Sequence, residues 1–413
     1  MSPSFAEMWR VFGRIGLLSF GGPAAQIALM HKELVDDRPW LTEKQFLGAL
    51  SFCMLLPGPE AMQLATYTGW RLRGTLGGLL AGLLFVLPGA AVILALAVLY
   101  VNFGEIDLVQ AGFVGVKAAV VVVVLQALWK VSNKALKGPF SWSLAAIAFV
   151  AIYVLQLPFP FIIACAALLG ALRKVAPREP QPLIELRPAS ETLRIILIWA
   201  GLWAAPVLIV VAFDHRFLID IALFFSNLAV VTFGGAYAVL AYMTQTVTLE
   251  HGWISTTQMI DALGLAETTP GPLILVTEFV GLLAGYYQSG IMLMLAAGAL
   301  TLWCTFVPCF LWIFAAAPFV EWLLSRPRLN QALNAITAAV VGVILNLSIW
   351  FGLHVVFSEV GNTNFGAAPA LSSFQWLPLA LIALAAWLLM RRKLALPWVL
   401  VICAVCAVGL SGF

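Results

Sequence analysis

The sequence predicts an all-α polytopic membrane protein. It would be built from two inverted-topology repeats with broken or re-entrant helices, giving about 9–13 membrane segments. Of the 413 residues, 62% are hydrophobic and only 10% are charged, whereas a typical soluble domain has about 25% charged residues. Several apolar runs exceed the roughly 20 residues that span a bilayer. The same pattern of glycine and proline interrupts these runs in both halves of the chain.

Residues 20–59 and 233–272 align without a gap and are identical at 13 of 40 positions. Each stretch begins with Phe-Gly-Gly, contains a tryptophan and ends with Pro-Gly-Pro. Glycine and proline interrupt helices, and irregular backbone is tolerated at membrane depth only where protein or a water-filled cavity satisfies its polar groups. Matched interruptions in two halves of a chain point to the binding site of a transporter. The sequence therefore predicts a duplicated membrane transporter.

The segments follow the same order in both halves. We expect a first repeat at 1–172, a polar linker and connecting transmembrane helix at 173–216, and a second, inverted repeat at 217–413. The first half has broken segments at 5–30 and 44–70 and spans at 74–102, 108–130, 139–156 and 158–172. An extra span at 191–212 follows a linker with four prolines, Pro177, Pro180, Pro182 and Pro188. The second half has broken segments at 217–247 and 256–285 and spans at 289–316, 329–357, 374–390 and 396–412.

Loop charges predict the orientation, because cytoplasmic loops are enriched in lysine and arginine. Basic loops lie near 71–73, 130–137, 173–178, 326–328 and 391–393 and alternate with loops that have no basic residue. The alternation runs in opposite order in the two halves, so the span at 191–212 would invert the second repeat. This places the N-terminus in the cytoplasm and the C-terminus outside a cell (inner) membrane. Each broken segment could cross the membrane or re-enter, and the basic residues of loop 31–44 favour re-entrant hairpins.

The glycine–proline breaks are the expected anion sites. Helix-compatible runs at 24–30 and 61–70 follow the two breaks of the first half. A helix N-terminus presents unpaired N–H groups and about half a positive charge, which together attract anions. Proline suits the first helical turn, and glycine permits close approach of the backbone. The breaks could instead be kinks between tightly packed helices, but four matched breaks favour a site. Gly82, by contrast, is expected to be a glycine of an ordinary span.

Lys117 is a charged residue deep within an apolar span. An intramembrane cation is costly and is a candidate functional residue by default. It could neutralise an anionic substrate or pair with a buried carboxylate such as Glu60. Three further carboxylates, Asp261, Glu267 and Glu278, lie in or beside the second broken segments. Buried carboxylates can carry protons, but these three and Glu60 could equally be helix-start or loop charges, and Glu60 beside Pro59 fits the first turn of a helix.

The predicted site combines the breaks with nearby polar side chains. Its candidate substrate-binding residues are Gly21, Gly22, Pro23, Gln26, Pro57, Gly58, Pro59, Glu60, Gln63, Lys117, Gly234, Gly235, Thr268, Thr269, Pro270, Gly271 and Pro272. Histidine and cysteine show no metal-ligand spacing, and no nucleophile elbow or nucleotide loop is present, so we predict no metal, no cofactor and no enzymatic activity. The net charge of +3 reflects basic loops and does not indicate nucleic-acid binding.

The motifs resemble those of a known family. Residues 19–23, 56–69 and 85–89 resemble the chromate transporter family, and residues 232–235 and 269–272 are similar to its C-terminal domain. The resemblance covers both halves and so implies the long, two-domain form. The expected surroundings are the lipid bilayer, and the sequence does not decide between a monomer and a homodimer. It implies export of chromate from the cytoplasm and a role in chromate resistance, with sulfate as a structural analogue. The alternative is a carrier of sulfate or another oxyanion, with or without proton coupling. Ala236 stands where the first half has Pro23, so the two halves need not contribute equally.

Overall fold

The computed structural model describes residues 3–173, 189–233, 235–324, 326–363 and 366–411. Across these ranges the fold is almost entirely helical. Five helices are long and apolar enough to cross a membrane, and four shorter apolar helices accompany them. The predicted all-α polytopic class is confirmed, apart from one short β-hairpin.

The helices follow the predicted segments closely. Those of the first half are α1 (Phe5–Leu18), α2 (Gly22–His31), α3 (Glu43–Cys53), α4 (Glu60–Phe103), α5 (Asp107–Ala135), α6 (Pro139–Tyr153) and α7 (Phe159–Ala171). Then come α8 (Ala189–Ala212), α9 (Arg216–Val231), α10 (Ala236–Gln245), α11 (Thr256–Thr268) and α12 (Val276–Ala316). The last are α13 (Val320–Leu324), α14 (Pro327–Val356), α15 (Trp376–Ala386) and α16 (Leu396–Leu410). Most of the predicted linker, including its four prolines, lies outside the described residues.

Local sequence signals explain where the first helices begin. Ser4 caps α1 and Thr42 caps α3, each in a capping box in which Glu7 or Gln45 bonds back to the cap residue. Such boxes satisfy amide groups that have no partner inside the helix. The chain then reverses between α1 and α2. The reversal is shown by the contact of 3.4 Å between Arg14 of α1 and Glu33, just beyond α2.

Two of the long helices are interrupted by tight reversals. In α4 the helical conformation breaks at Arg73 and at Gly74, which has φ 65°. In α12 it breaks at Ser289 and at Gly290, which has φ 74°. A left-handed φ costs glycine little and other residues more, which explains why a glycine occupies each reversal.

Contacts on either side of the reversal in α4 show that its two parts run antiparallel. Gly69 lies against Gly77, and Thr66 lies against Gly82, so residues further before the reversal meet residues further after it. The continuous helix of 44 residues is therefore two packed helices. This division matches the predicted boundary between the broken segment at 44–70 and the span at 74–102.

The described chain forms two compact units, each assembled from both halves of the sequence. Unit 1 comprises Met1–Ala97, Arg173–Ala236 and Thr269–Asn330. Unit 2 comprises Val98–Leu172, Tyr237–Thr268 and Gln331–Phe413. In unit 1, α12 packs against α8 and α9, and in unit 2, α5 packs against α11, α15 and α16. The units cut across the predicted repeats at 1–172 and 217–413, which stay a prediction.

A short β-hairpin, which the sequence analysis treated as a loop, joins α14 to α15. Strands β1 (Val360–Thr363) and β2 (Gly366–Pro369) pair antiparallel, with Val360 opposite Pro369. The hydroxyl of Tyr153 in α6 donates to the carbonyl of Ala367 at 2.9 Å and so attaches the hairpin to unit 2. Strands of four residues with one glycine each give little alternation for a sequence argument to detect.

Candidate functional site

Unit 1 joins the broken segments of the two halves by a matched pair of backbone hydrogen bonds. The amide of Gly58, in the first Pro-Gly-Pro break, donates to the carbonyl of Thr232 at 2.8 Å. The amide of Gly271, in the second, donates to the carbonyl of Ser19 at 2.9 Å. These four residues correspond to one another at the offset of 213 that aligns the halves. Each Pro-Gly-Pro break is thus tied to the residue just before the Phe-Gly-Gly motif of the other half.

Ser19 and Thr232 are held in the same way. They terminate α1 and α9 respectively and are both fully buried. Their hydroxyl groups donate to the carbonyls of Ile15 and Leu228, four residues earlier in each helix. These bonds leave the two terminal carbonyls directed towards the breaks of the opposite half.

The glycines at the centre of the Pro-Gly-Pro breaks have little room for a side chain. Gly58 has φ 122°, and a β-carbon on it would lie 2.9 Å from Sγ of Cys309. Gly271 has φ 89°, and its β-carbon would lie 3.2 Å from the carbonyl oxygen of Phe85. Both positions therefore favour glycine on conformational and steric grounds.

Two predicted glutamine ligands hold the breaks in place. Nε2 of Gln26 donates to the carbonyl oxygens of Gly271 at 2.7 Å and of Ser19 at 3.3 Å. Nε2 of Gln63 donates to the carbonyl of Pro57 at 2.7 Å. Because these amide donors are engaged with the backbone, the two side chains position the breaks in this structure.

The helix N-termini of the first half differ in charge. α2 has Gly21 as its N-cap, with no side-chain capping bond and no acidic residue in its first turn, which contains Pro23. α4 begins with Glu60, as expected for a first-turn acid. A carboxylate competes with a bound anion for the positive end of the helix dipole. The start of α2 is therefore the better-suited anion site of the two.

The second half departs from the predicted pattern. Gly235, with φ 98°, precedes α10, while Gly234 lies outside the described residues. After the second Pro-Gly-Pro break a 3₁₀ turn, Leu273–Leu275, comes before α12, so the expected α-helix does not start directly at this break. Residues 269–272 are buried, whereas Pro57 and Pro59 are half-buried. The first half therefore offers the more accessible breaks.

Lys117 makes an ion pair inside unit 2. Its Nζ lies 2.9 Å from Oδ1 of Asp261, and the hydroxyl of Tyr100 donates to Oδ2 of the same carboxylate at 2.8 Å. The side chain of Lys117 is 17% exposed and that of Asp261 is 5% exposed. The carboxylate partner is thus Asp261 and not the suggested Glu60.

The other candidate polar groups lie in separate surroundings. Glu267 of unit 2 is buried and accepts a hydrogen bond from Tyr237 at 2.8 Å. Glu278 of unit 1 is buried, and its Oε2 has no hydrogen-bond partner among the described residues. The hydroxyl of Thr268 donates to the carbonyl of Leu265, within its own helix.

Unit 2 also contains a cavity of about 120 Å³, lined by both polar and apolar side chains, that the sequence did not predict. Its lining includes Thr244 and Gln245, the last two residues of α10, and Asn346 of α14. The hydroxyl of Thr244 has no hydrogen-bond partner within the described part of the chain. In the sequence, the polar residues that line this cavity are isolated positions within apolar helices, so no motif indicated that they lie together.

The candidate residues are thus divided between the units. Unit 1 contains those at 21–23, 26, 57–60, 63, 235 and 269–272, and unit 2 contains Lys117 and Thr268. The breaks of unit 1 form one hydrogen-bonded arrangement, and Lys117 belongs to a separate ion pair.

Known proteins are similar to this chain over both of its halves. A family model described as chromate transporter matches residues 6–171 and 219–409. A probable chromate transport protein of Synechococcus elongatus is 28% identical over 406 residues, covering 98% of this chain and 95% of the relative. A chromate transport protein of Pseudomonas aeruginosa is 31% identical over 345 residues, covering 83% and 79%, respectively. One from Cupriavidus metallidurans is 28% identical over 344 residues, covering 81% and 79%.

No solved structure was found to match the chain. The family model covers most of both halves, including the broken segments of each. The chain is therefore a multi-pass membrane protein that belongs to the chromate transporter family.

Proposed function

We propose that this protein exports chromate, a tetrahedral oxyanion, from the cytoplasm. The observation that carries the proposal is the reciprocal pair of hydrogen bonds from Gly58 to Thr232 and from Gly271 to Ser19. These two bonds connect the broken segments of the two halves to each other inside an apolar protein. Broken helices with matched positions in two halves are the usual setting of a transporter binding site. The names of the relatives supply the substrate.

The anion would bind at helix N-termini after the breaks. The start of α2, at Gly22 and Pro23, supports this assignment because it lacks both a side-chain cap and an acidic first turn. Its free N–H groups and helix dipole would hold an oxyanion without any titratable donor. Separately, Lys117 supplies a formal positive charge within unit 2.

Export agrees with the electrical driving force. A dianion that leaves a cell at about 100 mV, negative inside, gains roughly 4.6 kcal/mol, twice the value for a single charge. This energy corresponds to about three decades of concentration ratio. Export therefore needs no coupled ion, whereas import would require co-transported cations.

The proposed arrangement in the membrane is two inverted repeats with the N-terminus in the cytoplasm and the C-terminus outside the inner membrane. Both halves match the same family model, and both contain a reversal inside a long helix, at Gly74 and at Gly290. The return of the chain from α1 to Glu33, beside Arg14, supports a re-entrant first segment. Basic loops set the orientation.

A second candidate is a proton-coupled carrier of sulfate or another oxyanion. The buried carboxyl group of Glu278, one oxygen of which has no partner among the described residues, favours this alternative. A carboxyl group at membrane depth is a recurrent proton carrier.

Anion flux in proteoliposomes tests the proposal. Purified protein would be reconstituted, a potassium diffusion potential imposed, and chromate and sulfate flux compared with and without a pH gradient. We expect chromate flux that follows the potential and is insensitive to the pH gradient. Flux of sulfate alone, or flux driven by the pH gradient, would favour the second candidate. No flux of either anion would contradict both.

A further inference from the structure

We propose that the carboxylate of Asp261 substitutes for the anionic substrate: it pairs with Lys117 whenever no anion is bound. The inference rests on the proposed function and assigns a role to a carboxylate within it. Asp261 contacts Nζ of Lys117 at 2.9 Å and keeps a second hydrogen bond from Tyr100 at 2.8 Å. The lysine is the more accessible partner, with 17% exposure against 5% for the aspartate, so an incoming anion reaches the cation before the carboxylate.

The helices that carry the pair are closely packed. Asp261 lies in α11, and Gly264, one turn further on, faces α5 so closely that a β-carbon on it would lie 2.7 Å from Cγ1 of Val116. Lys117 follows Val116 in α5. The third helix at this point, α16, has no charged residue in its sequence. Among the described residues, the ionisable groups bonded to Asp261 are Lys117 and Tyr100, while Glu267 of the same helix bonds to Tyr237.

Packing alone does not explain this pair. At the offsets that align the halves, Asp261 corresponds to Gly48, Lys117 to Thr337 and Tyr100 to Val320. The counterpart of the pair with the halves exchanged, Gly48 with Thr337, thus carries no charge. A buried ion pair is also weak grounds for stability, because apolar residues of similar size are often as good or better. An intramembrane charge pair that has no counterpart when the halves are exchanged is more readily explained by transport.

The pair would work by competition. When the site is empty, Asp261 neutralises Lys117, so the transporter can return to its starting conformation without moving an unpaired cation through the bilayer. When an oxyanion binds Lys117, it displaces Asp261, and the hydrogen bond from Tyr100 still holds the displaced carboxylate. The internal competitor lowers the apparent affinity for the anion, because the lysine is free for only a fraction of the time.

The proposal predicts that Asp261→Asn separates exchange from net transport. Chromate-for-chromate exchange would continue, because a loaded transporter needs no return of the empty site. Its half-saturation concentration would fall by about tenfold, since the competitor is gone. Net flux into chromate-free medium would drop by at least about tenfold, because the empty site would carry an uncompensated cation. Both fluxes are measured in proteoliposomes under a set potential.

Two controls keep the test decisive. Glu267→Gln removes the other tyrosine-bonded carboxylate of α11, for which no ion pair is found within the described residues, and should leave the ratio of exchange to net flux unchanged. Tyr100→Phe keeps both charges, so it covers the case in which Asp261→Asn does not fold. It removes the bond that holds the displaced carboxylate, so it should raise the half-saturation concentration for exchange and lower the ratio of exchange to net flux, opposite to Asp261→Asn.

The remaining outcomes overturn the inference. Equal loss of exchange and net flux in folded Asp261→Asn would show that the pair has a structural role. Unchanged fluxes would show that the pair has no role in transport. If Asp261→Asn does not fold and Tyr100→Phe leaves the ratio unchanged, the inference also fails. Absence of any oxyanion flux in the unsubstituted protein would remove the proposed function, and this inference with it.

Discussion

The amide of Gly58 donates a hydrogen bond to the carbonyl of Thr232 at 2.8 Å, across 174 positions of sequence. The equivalent bond from Gly271 to Ser19 measures 2.9 Å. Buried backbone groups need partners, and each Pro-Gly-Pro break finds its partner in the other half of the chain. Neither half can complete its broken segments alone. The pair therefore links the duplication of the chain to the proposed anion site.

Replacing Gln26 tests how the breaks are held. Gln26→Leu would leave the carbonyls of Ser19 and Gly271 without their side-chain donor in a buried setting. We expect a loss of about 1–3 kcal/mol in the free energy of unfolding. Chemical denaturation in detergent measures this loss. Gln110→Leu, at an exposed position of α5, is the matched control and should change stability little. Equal effects of the two substitutions would contradict the positioning role.

Removing the cation tests its role in transport. Lys117→Met should abolish chromate flux, but it also leaves Asp261 as a buried carboxylate without its ion pair. The double variant Lys117→Met/Asp261→Asn removes both charges, so we expect it to regain most of the lost thermal stability while chromate flux stays absent. Normal flux in the folded double variant would show that Lys117 does not contact the anion.

The sequence predicted helix positions well because apolar length and glycine–proline breaks are local signals. It did not predict the two compact units, since these depend on which distant helices pack together. The suggestion that Lys117 pairs with Glu60 was wrong. Glu60 and Asp261 both lie near breaks in the sequence, and the packing of the helices brings Asp261 to Lys117. Gly82 illustrates the same limit. It is not an ordinary span glycine, because a β-carbon on it would lie 2.4 Å from Oγ1 of Thr66.

His31, the last residue of α2, makes a pH-dependent contact. The pKa of His31 is raised mainly by its hydrogen bond with Glu43, with a smaller contribution from Asp36. The folded state therefore favours protonated histidine, and this stabilisation is present below the unfolded pKa of about 6.5 and is lost as pH rises through the higher folded value. We expect His31→Gln to lower the unfolding temperature more at about pH 6 than at about pH 8.5. An equal decrease at both pH values would contradict this account.

The inverted arrangement can be tested by labelling. Single cysteines at Arg71 and Gln288, both exposed positions, would be introduced into a variant without the native cysteines. A membrane-impermeant maleimide applied to intact cells should label the cysteine at 288 and spare the one at 71, which should react after the cells are opened. Labelling of both positions from the same side would contradict inverted repeats.

The central claim is that the broken backbone itself binds the anion, and substitution of Gly58 tests it most directly. A side chain at Gly58 would strain a residue with φ 122° and crowd Cys309. Gly48 is the matched control in place of Gly82, because a β-carbon on it would meet no atom within 4 Å.

The decisive measurement is the half-saturation concentration for chromate flux in proteoliposomes, for Gly58→Ala and for Gly48→Ala. Gly58→Val would serve as the stronger variant. We expect a rise of about tenfold or more for Gly58→Ala, corresponding to at least about 1.4 kcal/mol of binding energy, and little change for Gly48→Ala. Because backbone amides do not titrate, the difference should persist across pH. Equal half-saturation concentrations in the two folded variants would show that the Pro-Gly-Pro breaks are packing kinks and would contradict their part in binding the anion.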